Sequence, residues 1–538
     1  MTPPTPTTTN PAAATSAGER VAHVAGLSIE VARSGAVILD GIDLDIARGE
    51  IVGIAGETGS GKSTLALALA GYHSPALNVS GGAVEVAGHD MLNSDEKQLR
   101  SLRGDRVAYV PQDPASALSP ALRLRDAFGT VQRAHGMREP AQRAERMSQA
   151  LGEVNLPCDA PFAARYPHEL SGGQIQRIAI AIAFGFNPDV VVLDEPTTGL
   201  DVATKHVVVS LAQRLSAAHN SGVAFVSHDL ALLLTFTHRI VVLHDGKLVE
   251  DLPTGRFLTD ATHPYTRELI AAARLEPADP AALGSGPADG ELAVIGLDAA
   301  YGGHQVTHGI DLQVRAGECL ALVGESGSGK TTVARAIAGL HPEYQGQIRL
   351  GGEVLPASVR RRDRAMLRHI QYVFQNPYSA LAPRRAVGRS IALAARGLRG
   401  CSRAEADAIA AQVLERVGLR PDHGRALPHA LSGGQRQRAA LARALAGGPS
   451  ILICDEVTSS LDATVQRGIV ALLADLRRET GLTMVFITHD LSLARAISDT
   501  VVVLKDGRVV ESGPTAQVFT DPQNPYTQLL VDSATPLS

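Results

Sequence analysis

Residues Gly56 to Ser63 read GETGSGKS, and this stretch decides the fold of the chain around it. It matches the pattern G-x-x-x-x-G-K-[ST] and follows an apolar run, 51–55, that is typical of a buried strand. Its glycines allow a tight turn in which successive N–H groups point inward, and the run 65–70 predicts a helix whose positive end faces the same point. The stretch therefore predicts a phosphate-binding loop.

The pattern recurs at Gly324 to Thr331 as GESGSGKT, again after an apolar run, 319–323. One copy could be a glycine-rich turn with a chance lysine, but two copies in one chain are not credible as accidents. In each loop the lysine is expected to reach the outer phosphates and the next hydroxyl to bind Mg²⁺. The predicted nucleotide-binding residues are Gly56, Gly59, Ser60, Gly61, Lys62, Ser63 and Thr64 in the first loop, and Gly324, Gly327, Ser328, Gly329, Lys330, Thr331 and Thr332 in the second.

Length and composition narrow the class of protein. A chain of 538 residues is too long for one ordinary core, and 50 basic against 55 acidic residues argue against a nucleic-acid-binding surface. The four cysteines have no spacing typical of a disulfide or metal framework, which favours a reducing compartment. No apolar run approaches the roughly 18 residues that span a bilayer. Residues 1–19 lack the features of a signal peptide and are predicted to be a disordered tail.

An internal repeat divides the chain into two similar halves. GIDL at 41–44 returns at 309–312, and the offset between equivalent residues is 268 at the phosphate loops and 261 from the LSGGQ stretches onward. An Ala/Pro/Gly-rich segment, 271–290, is predicted to be a linker between domains at 20–270 and 291–538. Within each half, alternating strands should precede the phosphate loop. A helical insertion should precede LSGGQ, where Ser402 and Glu405 form a capping-box pattern.

Two acidic residues end a buried strand in each half. Asp194 and Glu195 follow the apolar run 190–193, and Asp455 and Glu456 follow the run 451–454. The first carboxylate of each pair is placed to hold Mg²⁺, and the second can orient or deprotonate an attacking water. Such a pair alone would be weak evidence, but its repetition behind two phosphate loops makes the prediction strong.

The sequence LSGGQ precedes a predicted helix in each half. Serine and two glycines at a helix start can form a second anion site, although a simple N-cap is the better interpretation of one copy. Each half then has two phosphate sites for one nucleotide. A head-to-tail pairing resolves this, with the Gly56 loop facing Ser432 and the Gly324 loop facing Ser171. The predicted residues of this second site are Ser171, Gly173 and Gln174, and Ser432, Gly434 and Gln435.

These motifs resemble those of the ATP-binding cassette (ABC) ATPases, and the resemblance covers nearly all of the chain outside the tail and linker. The sequence LSGGQ shortly before the Asp-Glu strand is highly specific for that family. The resemblance implies two tandem α/β P-loop NTPase domains of ABC type, arranged head-to-tail, each with an antiparallel β subdomain and a helical insertion. It implies that both sites hydrolyse ATP with Mg²⁺. By this resemblance the metal ligands are Ser63, Gln112 and Asp194, and Thr331, Gln375 and Asp455; the catalytic residues are Gln112, Glu195 and His228, and Gln375, Glu456 and His489.

Other positions of the family pattern can also be matched. Leu200-Asp201 and Leu461-Asp462 match the loop that links the two sites. Tyr301 matches the aromatic residue on which the family stacks adenine, whereas the equivalent position of the first half is Arg33. We therefore expect weaker or slower turnover at the site that contains Gly56.

Two further repeats narrow the choice within the family. The stretches that follow Gln112 and Gln375, and HPYT at 263–266 with NPYT at 524–527, resemble the peptide/nickel group of importer ATPases, here with two subunits fused. This implies a peripheral protein on the cytoplasmic face of the membrane that acts on two permease subunits and, through them, on an extracytoplasmic solute-binding protein. No cysteine cluster follows either stretch, so no iron–sulfur cluster is expected. The alternative is a soluble tandem-cassette translation factor acting on the ribosome, which the short neutral linker and the charge balance disfavour.

Overall fold

The computed structural model describes residues 19–200, 202–273, 292–458, 461 and 463–533. The predicted tail up to residue 18, most of the predicted linker, and the predicted loop residues Asp201 and Asp462 lie outside this part of the chain.

Each half begins with strands that belong to two separate sheets. In the first half the antiparallel sheet has the order β2-β1-β4-β5, and the central sheet has the order β10-β9-β3-β8-β7-β6. Strands of the central sheet pair in parallel except for the β9–β10 hairpin. The bounds are β1 Arg20–Val31, β2 Val37–Ala47, β3 Ile51–Gly56, β4 Leu77–Val86, β5 His89–Asp90, β6 Val107–Val110, β7 Val190–Asp194, β8 Gly222–Val226, β9 Arg239–His244 and β10 Lys247–Pro253.

The second half repeats both sheets in the same order. Its antiparallel sheet runs β12-β11-β15-β16 with β13 also on β11, and its central sheet runs β17-β18-β19-β14-β20-β21. The long strand β2 is replaced here by two short strands, β12 and β13. The bounds are β11 Leu292–Tyr301, β12 His304–Gln305, β13 Ile310–Val314, β14 Cys319–Val323, β15 Tyr344–Leu350, β16 Glu353–Val354, β17 Ile370–Val373, β18 Ile451–Asp455, β19 Thr483–Ile487, β20 Thr500–Lys505 and β21 Arg508–Pro514.

Helices cover the central sheets and form the insertions. Those of the first half are α1 Lys62–Leu69, α2 Glu96–Leu102, α3 Pro114–Ala117, α4 Leu124–Ala134, α5 Pro140–Glu153, α6 Ala160–Ala163, α7 Gly172–Phe184, α8 Val202–His219, α9 Leu230–Phe236, α10 Thr254–Asp260 and α11 Pro264–Ala273. Those of the second half are α12 Lys330–Ile337, α13 Arg364–His369, α14 Val387–Arg399, α15 Arg403–Arg416, α16 Pro421–Arg425, α17 Gly433–Leu445, α18 Ala463–Thr480, α19 Leu491–Ile497, α20 Thr515–Thr520 and α21 Pro525–Ser533.

The helical insertion predicted for each half is confirmed. In the first half α4, α5 and α6 lie between β6 and α7, and Phe128, Leu151 and Phe162 bury their side chains in the same core as α7. In the second half α15 begins with the predicted capping box, because the Ser402 hydroxyl accepts from the N–H of Glu405 and the Glu405 carboxylate accepts in return. Buried side chains of each insertion share a core with the helix that follows LSGGQ, α7 or α17, and this packing holds the insertion in place.

The last helix of each half packs against the other half. Helix α11 contacts α18 of the second half, and α21 contacts α8 of the first half. Helix α11 also continues to Ala273, past the predicted domain end at 270, because Ala272 is still buried. Among the described residues no helix has the length and apolar character required to span a membrane.

Candidate nucleotide-binding and hydrolysis sites

The loop between β3 and α1 is shaped by glycine. Gly56 has φ +148°, and a Cβ atom at this position would lie 2.3 Å from the carbonyl oxygen of Leu243 on the neighbouring strand β9. Gly324 has φ +147° and would place its Cβ 2.1 Å from the carbonyl oxygen of Leu504. Only glycine fits where the backbone approaches this closely, so both loops keep an open cradle of main-chain groups at the start of α1 or α12.

The lysine of each loop folds back over the cradle. Lys62 is only 5% exposed, and its Nζ donates to the carbonyl oxygens of Gly56 at 2.8 Å and Glu57 at 2.7 Å. Lys330 makes the same two bonds in the second loop. The buried hydroxyl of Ser60 has no hydrogen-bond partner among the described residues. The buried positive charge of each loop fits a phosphate group, and in the first loop the unpaired hydroxyl of Ser60 adds a donor. In the second loop the Ser328 hydroxyl accepts from Lys330 Nζ at 3.4 Å.

A hydroxyl and a carboxylate meet beside each loop. Ser63 Oγ lies 3.2 Å from Asp194 Oδ1, and Thr331 Oγ1 lies 3.1 Å from Asp455 Oδ1. Mg²⁺ binds oxygen ligands at about 2.0–2.1 Å in octahedral geometry, which places neighbouring ligands about 3 Å apart. Each oxygen pair therefore fits as two ligands of one Mg²⁺. Burial raises the pKa of both carboxyls, and hydrogen bonds from the adjacent hydroxyls oppose this shift.

Glu195 is held in a constrained geometry immediately after β7. Its φ of +47° lies in the left-handed region, which is costly for a residue with a side chain, and its N–H donates to Val226 O at 3.0 Å. The carboxylate accepts from Gln112 Nε2 at 3.2 Å and from Thr198 Oγ1 at 2.8 Å, and lies 3.2 Å from His228 Nδ1. Burial alone would raise the pKa of Glu195, but the contacts with His228 and Thr198 hold this pKa below its usual value. An ionised carboxylate of this kind can accept a proton from water.

The second half reproduces this arrangement. Glu456 has φ +46°, accepts from Gln375 Nε2 at 2.7 Å and lies 3.6 Å from His489 Nδ1. Its pKa is likewise lowered, because the histidine and Lys330 outweigh the effect of burial. The structure thus brings each glutamine, glutamate and histidine of the predicted set together. Each glutamine amide faces the glutamate rather than the aspartate, so its predicted role as a metal ligand stays a prediction.

The LSGGQ stretches form capping boxes at the starts of α7 and α17. Ser171 Oγ accepts from the N–H of Gln174 at 3.3 Å, and Gln174 Oε1 accepts from the N–H of Ser171 at 3.0 Å; Ser432 and Gln435 do the same. The local role of the serine is therefore the N-cap that the sequence left open. The expected pairing of these stretches with the phosphate loop of the other half stays a prediction.

The two halves differ where the adenine base is expected. Tyr301 is 42% exposed, and one face of its ring stacks on His341 with ring centroids 4.2 Å apart. The expected counterpart of Tyr301, Arg33, is wrong by strand register. The repeated GIDL residues pair with Val24 and Leu27 of β1 as they do with Val294 and Leu297 of β11, so Tyr301, the last residue of β11, corresponds to Val31, the last residue of β1. Arg33 lies two residues farther on, exposed in the turn after β1. Only the second site thus offers an aromatic surface at this position.

Sequence reasoning missed one residue in each site. Tyr109 on β6 donates its hydroxyl to Asp194 Oδ2 at 2.9 Å, and Tyr372 on β17 donates to Asp455 Oδ2. The available signal was a tyrosine at the same place before both glutamines, in YVPQ and YVFQ.

Comparison with known proteins places this geometry in a family. Residues 39–198 and 307–459 match the family model described as ABC transporter. The chain belongs to the ABC transporter family. Residues 510–538 of this ABC transporter chain also match the model described as oligopeptide/dipeptide transporter, C-terminal region.

Relatives of this ABC transporter chain align with it over most of their length. It is 37% identical to the peptidoglycan transport ATP-binding protein YejF of Agrobacterium fabrum, over 95% of this chain and 96% of the relative. It is 38% identical to an uncharacterized ABC transporter ATP-binding protein, YejF of Escherichia coli, over 92% and 95%. It is 35% identical to the glutathione import ATP-binding protein GsiA of Salmonella typhimurium, over 95% and 89%.

A solved structure of a dimeric ATP-binding cassette with ADP and phosphate matches 43% of this chain and 98% of its own, with 27% identity and a TM-score of 0.39.

The family matches confirm the predicted family, the fold of two tandem ABC domains, and the activity. The chain is an ATP-binding ABC transporter ATPase of the oligopeptide/dipeptide class, and such a subunit acts on membrane permeases.

Proposed function

We propose that this ATPase drives the import of a peptide or a related small solute by closing its two domains against two permease subunits. The observation that carries this proposal is the presence of a complete set of loop lysine, Asp-Glu pair, glutamine and histidine in both halves. The match of the C-terminal region to oligopeptide/dipeptide transporters supports the solute class. Glutathione, after which the import protein of Salmonella typhimurium is named, is itself a small peptide.

In the proposed reaction, the phosphate loops hold ATP, and Ser63 with Asp194, or Thr331 with Asp455, hold Mg²⁺. The ion would neutralise charge that develops on the transferred phosphate. Glu195 or Glu456 takes a proton from water as the water oxygen bonds to the γ-phosphorus and the bond to the ADP oxygen breaks. The histidine beside each glutamate, His228 or His489, contacts its carboxylate and orients it.

The two sites are proposed to differ in rate. The first site has Val31 where the second site has Tyr301, so it lacks an aromatic ring at this position and nucleotide should bind there less tightly. We expect Glu456→Gln to reduce steady-state ATP hydrolysis more strongly than Glu195→Gln, because it removes the faster site. The measurement is phosphate release by the purified chain with each variant, and an equal loss would contradict the difference.

The proposal also names the position of the protein in the cell and its partners, which the family assignment alone does not give. We propose a peripheral position on the cytoplasmic face of the membrane, two permease subunits, and a solute-binding protein that reaches the permeases from the other side. Neither nucleic acid nor an iron–sulfur cluster has a role in this proposal.

The experiment is purification of the tagged full-length chain from its own cells in mild detergent, followed by mass spectrometry of what is bound. We expect two multi-span permeases, and the double variant Glu195→Gln with Glu456→Gln should retain them because it alters only hydrolysis. Ribosomal proteins without permeases would overturn the proposal in favour of a translation factor.

A further inference from the structure

The carboxylate of Asp194 is held at both of its oxygens. Oδ1 lies 3.2 Å from the hydroxyl of Ser63 on α1, and Oδ2 accepts from the hydroxyl of Tyr109 at 2.9 Å. Tyr109 lies on β6, which pairs in parallel with β7, the strand that ends at Asp194. Two separate elements thus fix the plane of one carboxylate.

The second half shows the same contact independently. Tyr372 on β17 is 9% exposed and donates to Asp455 Oδ2, while Asp455 Oδ1 lies 3.1 Å from the hydroxyl of Thr331. The loop residue differs between the halves, serine in one and threonine in the other, yet the tyrosine is the same. Its position across the carboxylate is therefore a feature of both sites.

A tyrosine is suited to this place because its hydroxyl remains a donor. A phenol hydroxyl ordinarily loses its proton only at a pH of about 10, so near neutral pH each tyrosine can donate to its aspartate. A hydrogen bond to a buried carboxylate is charge-assisted and stronger than one between neutral groups. The bond to Oδ2 prevents rotation of the carboxylate and leaves Oδ1 directed toward the loop hydroxyl.

We propose that Tyr109 and Tyr372 are positioning residues that aim Asp194 and Asp455 at the Mg²⁺ that accompanies ATP. The inference rests on the proposed role of these two aspartates as metal ligands. The tyrosines do not touch the nucleotide in this proposal; they reduce the rearrangement that the carboxylate needs when the ion binds.

In the second half, Arg335 connects Tyr372 to Tyr301, the residue expected to stack on adenine. Burial disfavours the charge of Arg335 on α12, but contacts with the hydroxyls of Tyr301 and Tyr372 raise its pKa above the usual value. The corresponding residue of the first half, at the offset of the phosphate loops, is Leu67, which has no polar side-chain atom. The second site therefore joins the tyrosine expected at adenine to the aspartate expected at the ion, through Arg335 and Tyr372.

The test uses the full-length chain with Tyr109→Phe and Tyr372→Phe as separate variants. Binding of Mn²⁺ in the presence of a non-hydrolysable ATP analogue is measured by electron paramagnetic resonance, and binding of the analogue alone is measured in EDTA. We expect each variant to bind Mn²⁺ about tenfold more weakly at one of its two sites, the loss expected for a hydrogen bond to a charged group. Metal-free binding should be unchanged.

Tyr344→Phe is the matched control, because Tyr344 is a partly buried tyrosine of β15 that packs in the core of the second half. It should bind Mn²⁺ as the unchanged chain does. Wild-type Mn²⁺ affinity in both tyrosine variants would overturn the proposal, and so would an equal loss of binding in EDTA, which indicates damage to the fold. If Asp194→Asn and Asp455→Asn also leave Mn²⁺ binding unchanged, the assignment of the metal ligands fails, whatever the tyrosines do.

Discussion

At the scale of single residues, the two sites are built alike and differ at the base. Glu195 and Glu456 both adopt the left-handed backbone conformation, which aims each carboxylate away from the preceding aspartate and toward its histidine. The cost of this conformation, of order 1–3 kcal/mol, is tolerated because the N–H of each residue bonds to the adjacent strand. In each Asp-Glu pair, the aspartate can thus face the metal site while the adjacent glutamate faces the attacking water.

The difference at the base predicts the effect of exchanging two side chains. Val31→Tyr should add a stacking surface to the first site, and Tyr301→Val should remove it from the second. We expect ATP to bind at least about fivefold more tightly in the former and at least about fivefold more weakly in the latter, since base–aromatic stacking contributes about 1–3 kcal/mol. The measurement is titration with a fluorescent ATP analogue, and parallel changes in both variants would contradict the assignment of the base position.

At the scale of elements, the second glycine of LSGGQ sets how closely α7 approaches α8. A Cβ at Gly173 would lie 2.9 Å from Thr204 Cγ2, and one at Gly434 would lie 2.6 Å from Val465 Cγ1 on α18. The preceding Gly172 has open space around its Cβ position. The close approach of α7 to α8, and of α17 to α18, therefore depends on the second glycine of LSGGQ and not on the first.

This contrast predicts opposite effects of two adjacent substitutions on stability. Gly173→Ala should lower the free energy of unfolding, because Thr204 or the helix must move. Gly172→Ala should leave it unchanged or raise it by up to about 1 kcal/mol, because alanine favours the helix. Thermal unfolding of both variants checks this, and equal destabilisation would show that the contact with α8 is unimportant.

The sequence predicted those features that depend on residues close together along the chain, and it missed those that depend on contacts between distant residues. The phosphate loops, the Asp-Glu strands and the capping box at Ser402 were predictable, because spacing along the chain determines each of them. The contacts of Tyr109 and Tyr372 were not, because they form between strands that are far apart in sequence. The extension of α11 to Ala273 was also missed, since alanine-rich sequence is compatible with both a linker and a helix.

At the scale of the whole molecule, the halves are connected by their last helices. The NPYT tyrosine, Tyr526, accepts a hydrogen bond from the N–H of Glu325 in the phosphate loop at 3.0 Å, and its helix, α21, packs on α8 of the first half. The stretch that suggested the transporter class therefore joins a nucleotide-binding loop to the opposite domain.

Removal of residues 525–538 should consequently change the first half as well as the second. We expect backbone amides of α8 to exchange hydrogen faster in the shortened chain, because they lose the packing of α21. Hydrogen exchange with peptide-level mass spectrometry is the measurement, and Tyr526→Phe, which keeps the helix, is the matched control. Faster exchange confined to the second half would contradict a role for this contact in joining the halves.

Helices α11 and α21 each pack on the opposite half of one fused chain, and this fusion affects how the two nucleotide sites can evolve. A cassette that pairs with an identical copy must carry the same residue at both of its adenine positions. In a fused chain, different positions of one gene encode the two cassettes, so a substitution in one site need not appear in the other. The linked cassettes are still made in equal number and meet at high effective concentration. Val31 and Tyr301 are an example of two such positions that a single gene can vary independently.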